Sequence, residues 1–219
     1  MMNKTLNELE FQITEESINI LNNIVNNIGA HQLHNHNHIL YDICNSIEHD
    51  DVTYFEIGSY AGASASLMSS NPKVKKSYSL DNGDSINKEV PINNVNRFKH
   101  NDCVYEHIEG DSANDEIVKL VNEKVNNVDI LYIDGDHSES YVINDFNNYE
   151  KIVKKNGYIV FDDYMDNVYC PQVFGAVNDI VRNLNPNEYK IIGSIQYDLI
   201  QKTNCPYLKS SNLFIIKKI

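Results

Sequence analysis

Apolar side chains in the first fifty residues recur at the three- and four-residue spacing of amphipathic helices. Thr14 precedes Glu15 and Glu16, a typical helix start, because a threonine hydroxyl accepts a first-turn N–H and acids favour the electropositive end. This helix is predicted to stop at Gly29, and a second, shorter helix follows. The apolar stripes of the two helices are Ile18, Leu21, Ile24, Val25 and Ile28, and then Ile39, Leu40, Ile43 and Ile47.

From residue 52 onwards, short apolar runs alternate with helical patterns. Strands separated by helices predict right-handed crossovers and a parallel sheet covered on both faces. The last two strands are joined by 196–211, which has no helical pattern, so they predict an antiparallel hairpin at the sheet edge. The fold class is therefore α/β: a doubly wound, mostly parallel seven-stranded sheet with an N-terminal helical cap over 1–50. Strands are predicted at 52–57, 75–80, 104–108, 128–133, 157–162, 189–195 and 212–218, and helices at 63–70, 85–97, 113–123, 139–154 and 172–184.

Composition and charge narrow the class of function. The chain has 219 residues, 42% of them hydrophobic and 22% charged, which are values of a globular domain. A formal charge of −13 argues against a nucleic-acid groove, which needs clustered Lys and Arg. The four cysteines (Cys44, Cys103, Cys170, Cys205) form no C-x-x-C pair. Without a long apolar segment or a signal pattern, we expect a cytoplasmic protein that contacts neither membrane nor nucleic acid.

The segment 54–64 predicts a buried strand, a glycine-spaced turn and a helix start. Such a turn presents backbone N–H groups to a ligand above the sheet. Its spacing is E-x-G-x-x-x-G, with Glu56 at the strand end and glycines only at Gly58 and Gly62. The dinucleotide fingerprint needs a third glycine and the phosphate loop needs a Lys, so neither applies. An acid at this place favours a ligand with a cationic amino-acid end.

The next two predicted strands also end in polar side chains. Asp81, followed by Asn82, falls about twenty residues after the glycine turn, where an acid that binds ribose hydroxyls is expected. Asp111 and Ser112 form a short polar turn that suits an adenine amino group. Taken alone, either residue of that turn is better explained as a helix cap or turn residue. Their order after the glycine turn favours a nucleoside site.

Acids also end the fourth and fifth predicted strands: Asp134 closes one, and Asp162 with Asp163 closes the other. In a doubly wound sheet these strand ends face one crevice. Three carboxylates at such short separations repel one another unless a cation lies among them. Oxygen ligands that leave part of the coordination shell free suit Mg²⁺. The alternative is that all three are solvated acids at strand ends.

These motifs together resemble a known enzyme family over roughly residues 52–184. The glycine turn resembles motif I of the class I S-adenosylmethionine (SAM) methyltransferases. The segments I-D-G-D-H-S (133–138) and F-D-D (161–163) resemble the macrocin and related sugar O-methyltransferases and, more distantly, catechol and caffeoyl-CoA O-methyltransferases. The resemblance implies a Rossmann-like methyltransferase domain over 51–219, SAM as cofactor and Mg²⁺ or another divalent cation. It also implies transfer of a methyl group to a hydroxyl of a small molecule.

The resemblance assigns roles to individual residues. The metal ligands of that group correspond here to Asp134, Asp162 and Asp163. Catechol-type enzymes have a Lys three residues after the first of these, whereas this chain has His137, which favours a sugar or glycosylated acceptor. His137 is the first candidate for the base that deprotonates the acceptor, and Asp136 is the second. The expected cofactor-binding residues are Glu56, Gly58, Ser59, Tyr60, Gly62, Ser64, Asp81, Asn82, Asp111, Ser112 and Asp134.

Several alternatives stay open at the level of sequence. Alternatively, His137 caps the following helix, or it hydrogen-bonds to a metal ligand without taking part in the chemistry. The histidine tract 31–38 is interpreted as a polar connector, part of which contributes to a lid, rather than as a zinc site. Aromatic residues in 164–175 either stack on a sugar or pack. The competing functions are a metal-independent methyltransferase and a SAM- or nucleoside-binding protein without catalysis. The apolar N-terminal stripes leave a homodimer possible.

Overall fold

The computed structural model describes residues 9–28, 36–195 and 213–219. The strands are β1 (Val52–Ile57), β2 (Val74–Asp81), β3 (Val104–Glu109), β4 (Val128–Ile133), β5 (Val153–Phe161), β6 (Tyr189–Ile195) and β7 (Leu213–Lys218). The helices are α1 (Glu15–Ile28), α2 (His38–Ser46), α3 (Ala63–Ser70), α4 (Glu89–Phe98), α5 (Asp115–Lys124), α6 (Glu139–Tyr149) and α7 (Pro171–Asn183). Among the described residues, no helix has the length and apolar character that crossing a membrane requires.

The strands form one seven-stranded sheet in the order β3-β2-β1-β4-β5-β7-β6. The strands β1 to β5 pair in parallel, whereas β7 pairs antiparallel with both β5 and β6. This confirms the predicted fold class and the antiparallel edge. The residues joining β6 and β7, 196–212, lie outside the described part of the chain.

The central strands bury both of their faces, which explains their nearly continuous apolar sequence. Along β1, Tyr54 belongs to a core cluster with α2, and Phe55 belongs to the opposite cluster with α6 and α7. The α2 residues Ile39 and Leu40 are fully buried in the first cluster. The second predicted helix therefore packs directly on the sheet. The division of the chain at residue 50 stays a prediction.

The first predicted helix begins as its sequence indicates. The Thr14 hydroxyl oxygen accepts the Ser17 N–H at 3.2 Å, as an N-cap residue does. The Ser17 hydroxyl in turn donates to Asp42 of α2 at 2.7 Å, and the Thr14 hydroxyl donates to the same carboxylate at 2.8 Å. The start of α1 is thereby bound to α2. The predicted stop at Gly29 and the histidines of the tract before residue 36 fall outside the described residues.

Two predicted helix boundaries are wrong. The helix predicted at 139–154 ends at Tyr149, a short 3₁₀ turn follows, and β5 already begins at Val153. Val153 pairs with Val128 of β4, so an apolar residue that continues the helical spacing is used by the sheet instead. The helix predicted at 85–97 begins at Glu89, because the side chains of Asn82 and Asn87 accept backbone N–H groups and close turns before it.

Parallel pairing places three strand ends at the same level. Ile57, the last residue of β1, lies opposite Ile133 of β4, which lies opposite Phe161 of β5. The acids Asp134 and Asp162 follow directly after two of these residues. The carboxyl end of the sheet therefore gathers the glycine turn and the acidic strand ends on one edge, where ligands of doubly wound sheets bind.

Candidate active site

The turn after β1 requires glycine at its first position. Gly58 has a φ of +84° and donates its N–H to the Leu80 carbonyl of β2 at 2.8 Å. A Cβ at this residue lies only 2.0 Å from the carbonyl oxygen of Asp134. The turn thus passes directly against the loop that follows β4. Gly62, with a φ of +80°, is the residue immediately before α3.

Gly58→Ala is expected to lower the free energy of unfolding by about 3 kcal/mol or more. The loss is expected because alanine is strained in the left-handed conformation and because its Cβ overlaps with backbone atoms of the facing loop. Gly83→Ala is the matched control, because Gly83 also has a positive φ (+76°) but its Cβ meets only side-chain atoms of Glu109, at 3.5 Å. Urea unfolding of both variants measures the difference. Equal losses contradict the close approach.

Asp81 binds the glycine turn in this structure. Its Oδ2 accepts the N–H groups of Ser59 at 2.8 Å and Tyr60 at 3.0 Å, and its Oδ1 accepts the Gly83 N–H at 2.9 Å. The end of β2 therefore fixes the conformation of the turn. Since Oδ1 accepts a single N–H, it keeps a lone pair for a ribose hydroxyl. The predicted ribose contact by Asp81 stays a prediction.

Glu56 is buried rather than presented at the rim of the site. Its carboxylate accepts hydroxyl hydrogen bonds from Tyr54 at 2.7 Å and Ser79 at 2.8 Å, and it is 0% exposed. Burial raises the pKa of Glu56 to about 7, although these hydroxyls and that of Ser64 oppose the shift. The acid supports the turn from within the core. Its direct contact with the cationic end of a ligand stays a prediction.

The polar residues after β2 and β3 mainly close their own turns. The Asn82 side chain accepts the Asp84 N–H at 3.0 Å, and Asp111 Oδ1 accepts the Ala113 N–H at 2.9 Å. The backbone carbonyl of the buried Ser112 accepts the Tyr149 hydroxyl at 2.8 Å. This geometry matches the turn interpretation. The contacts of Asn82, Asp111 and Ser112 with a nucleoside stay predictions.

Asp145 of α6 is a buried acid that the sequence analysis did not single out. It is 0% exposed, and its Oδ2 lies 3.4 Å from the Cβ position of Gly135. Burial raises its pKa to about 7, a Ser112 contact opposes this, and the charges of Asp111 and Asp136 add to it. Helical periodicity gives no sign of such a residue, because an acid in a helix is ordinarily exposed.

Asp145→Asn is expected to make stability less dependent on pH. An acid whose folded-state pKa is raised costs stability as the pH rises from the unfolded value of 3.8 to about 7, because the native state resists ionisation. The variant is therefore expected to gain stability over the wild type across that range and to keep a constant gain above it. Urea unfolding of both proteins between pH 4 and 8 measures the difference in their free energies of unfolding. The titration of Glu56 contributes equally to both proteins and therefore cancels. A pH-independent difference contradicts the burial of an ionisable Asp145.

Asp134 and Asp163 meet at the ring of His137. His137 Nε2 lies 3.4 Å from Asp134 Oδ1 and 3.4 Å from Asp163 Oδ2. Both carboxylates therefore lie beside one ring, but neither group of possible metal ligands in the described part of the chain includes Asp134, and the convergence of Asp134 with Asp162 and Asp163 stays a prediction. Asp163 has a φ of +52°, in the left-handed region that few residues other than glycine, asparagine and aspartate adopt.

Neighbouring groups raise the pKa of His137. Burial lowers the pKa of its imidazole, but hydrogen bonds with Asp134 and Cys170 and their charges raise it to about 11. Without a cation in the site, His137 therefore carries a positive charge at neutral pH. Asp136, the second candidate base, closes a turn before α6 by accepting the Ser138 N–H at 2.8 Å, and this hydrogen bonding lowers its pKa.

Asp162 points towards a more deeply buried set of partners. His36 Nε2 lies 2.6 Å from its Oδ1, and the Tyr132 hydroxyl donates to its Oδ2 at 2.7 Å. Burial lowers the pKa of His36, but the charge and hydrogen bond of Asp162 outweigh it and raise the pKa above 6.5. His36, Asp162 and Asp163 can hold a metal ion between them, as can His137, Asp163 and Cys170.

Two members of this cluster were missed from the sequence. His36 belongs to the tract interpreted as a connector, and Cys170 was seen only as an unpaired cysteine. The Cys170 thiol is buried and donates to Asp163 Oδ2 at 3.3 Å. Neither residue lies at a strand end, and only the packing of α2 and of the loop before α7 brings them to the cluster.

The comparisons with known proteins identify the class. A family model described as a methyltransferase domain matches residues 55–164, which is half of the chain, and the chain belongs to that family. With its sheet topology, it is a class I SAM-dependent methyltransferase. The uncharacterized protein R132 of Acanthamoeba polyphaga mimivirus is 40% identical over 176 residues, covering 78% of this chain and 80% of that protein.

Solved structures share the fold at low identity. An O-methyltransferase from Bacillus cereus in complex with SAH has a TM-score of 0.62 at 16% identity, covering 94% of this chain and 91% of that one. MycE from the mycinamycin biosynthetic pathway, in complex with Mg and SAH, has a TM-score of 0.61 at 17% identity, covering 90% and 54%. N-methyltransferases also share the fold. Proteins of this fold therefore include both O- and N-methyltransferases.

Proposed function

We propose that this protein is a divalent-cation-dependent O-methyltransferase that moves a methyl group from SAM to a hydroxyl of a small molecule, with a sugar or glycosylated compound as the favoured acceptor. One observation carries the proposal. Asp134 and Asp163 share one imidazole nitrogen of His137 at the carboxyl ends of β4 and β5, and Asp134 is also the residue against which the glycine turn is packed.

The residues around the glycine turn fit SAM. Gly58 and Gly62 leave the backbone without side chains at the turn, and α3 begins directly after it. Asp81 offers a carboxylate oxygen for the ribose, and Asp111 offers one for the adenine amino group. When bound, SAM supplies an electrophilic methyl group on a sulfonium. The protein then needs to hold the acceptor oxygen in line with it and to take up its proton.

The donor set fits a hard divalent cation. Asp134, Asp162 and Asp163 offer carboxylate oxygens, and the negative charge of Asp134 raises the pKa of His137 beside them. A cation held there lowers the pKa of a coordinated hydroxyl and competes with His137 for the two carboxylates. His137 is then the residue placed to accept the acceptor's proton, with Asp136 as the weaker second choice.

A metal-independent methyltransferase is the second candidate. It is favoured by the same geometry, because a protonated His137 already places one positive charge between Asp134 and Asp163. In that case the acids serve only SAM binding and structure. A SAM-binding protein without catalysis is the third possibility, and it predicts SAM affinity that is indifferent to changes at Asp162 and Asp163.

A methyl-transfer screen with radiolabelled SAM tests the proposal. Nucleotide sugars, free sugars and catechols are offered as acceptors, each with Mg²⁺, with Mn²⁺ and with EDTA. Transfer to a sugar hydroxyl that depends on the cation is the expected result. Full activity in EDTA supports the metal-independent enzyme, and a preference for catechols overturns the acceptor class. SAM binding without transfer to any acceptor leaves the binding protein.

A further inference from the structure

The segment preceding α2 reaches the carboxylate cluster, although it lies outside the residues that the family model matches. His36 is 2% exposed, and its Nε2 lies 2.6 Å from Asp162 Oδ1. The neighbouring Asn37 is also 2% exposed, and its Oδ1 lies 3.0 Å from the Tyr132 hydroxyl oxygen. Both residues of this segment are therefore enclosed at the strand ends.

The contacts of Asp162 fix its carboxylate in one orientation. Oδ1 accepts the backbone N–H of Asp163 at 2.9 Å in addition to facing His36. Oδ2 accepts the Tyr132 hydroxyl at 2.7 Å. These three contacts come from β4, from the residue after Asp162 and from the segment before α2, and together they hold the carboxylate in one orientation.

Core packing determines where the His36 ring lies. Two residues further along, α2 begins at His38, and its Ile39 and Leu40 are 0% exposed in the core that covers β1 and β4. The buried Asp42 binds α2 to the start of α1. The packed helix therefore holds the backbone of His36 close to Asp162.

We propose that His36 is a positioning residue of the metal site, which holds the Asp162 carboxylate in one orientation beside the cation. This inference rests on the proposed function and extends the site beyond the family-matched residues to the segment before α2. Hydrogen-bonding partners of metal-ligating carboxylates typically contribute 10- to 100-fold to metal affinity. We expect an effect of that order from His36, acting through Asp162 rather than on the substrate.

Calorimetric titration of the full chain with Mn²⁺, and separately with SAM, tests this role. His36→Ala is expected to weaken Mn²⁺ binding about 10- to 100-fold and to leave SAM affinity unchanged. His36→Gln, which keeps an N–H donor near the position of Nε2, is expected to recover part of the loss. The matched control is His38→Ala, since His38 is buried in the same segment but faces Ser17 and Asp42.

The outcomes separate this inference from the proposed function. Unchanged Mn²⁺ affinity in His36→Ala overturns the positioning role alone. Equal losses in His36→Ala and His38→Ala also overturn it, because they indicate general damage to the segment. A wild-type protein that binds SAM but no dication overturns both the positioning role and the metal dependence.

A second measurement needs no substitution, in case His36 variants do not fold. Mn²⁺ added to wild-type protein with nitrogen-labelled histidine broadens imidazole resonances near the ion. We expect the signals of His36 and His137 to broaden first. His49, half exposed and paired with Asp129 near the start of β4, is the internal control. Broadening of His137 with an unaffected His36 overturns the inference.

Discussion

Asp163→Asn is expected to lower the rate of methyl transfer by roughly 10²- to 10³-fold, because a cation supplies several kcal/mol of charge stabilisation and each 1.36 kcal/mol is tenfold. The substitution keeps the shape of the side chain, and asparagine tolerates the positive φ of this residue. Steady-state transfer from radiolabelled SAM measures the rate, and calorimetry measures Mn²⁺ and SAM affinities. We expect the Mn²⁺ affinity to fall and the SAM affinity to hold.

Asp179→Asn is the control for this experiment. Asp179 lies on α7, is partly exposed and pairs with Arg182, so its loss changes the charge of the protein without touching the strand ends. Its activity is expected to match that of the wild type. An Asp163→Asn variant with wild-type activity and unchanged Mn²⁺ affinity removes Asp163 from the metal site.

His137→Gln is expected to reduce the turnover number by about 10²- to 10⁴-fold, the usual contribution of a general base. Its ring nitrogen lies between Asp134 and Asp163, at the place where the metal-bound hydroxyl is expected. Because the residue acts on the acceptor proton, the affinity for SAM is expected to stay the same. Turnover at saturating substrate, together with SAM affinity, distinguishes a loss in chemistry from a loss in binding.

His49→Gln serves as the histidine control, because His49 contacts Asp129 near the start of β4 and not the strand ends. An unchanged turnover number in His137→Gln with weakened Mn²⁺ binding assigns His137 to the support of the metal site. Loss of turnover in both variants points to general destabilisation, and urea unfolding of the two proteins identifies that case.

The sheet was predictable because buried parallel strands read as continuous apolar runs, and β1 and β4 were placed at their observed bounds. The end of α6 was not predictable, since Val153 continues the apolar spacing of a helix and only its pairing with Val128 assigns it to β5. Local sequence does not carry such long-range pairing.

The sequence by itself determined the order of strands and helices, the glycine turn and the acids Asp134, Asp162 and Asp163 at the strand ends, because chain order and periodicity specify these directly. Tertiary structure alone decided what surrounds those acids: His36 against Asp162, the Cys170 thiol against Asp163, and the buried Asp145 behind Gly135. These contacts join residues far apart along the chain. Their distances and ionisation states depend on burial and on neighbouring charges, which exist only once the helices have packed on the sheet.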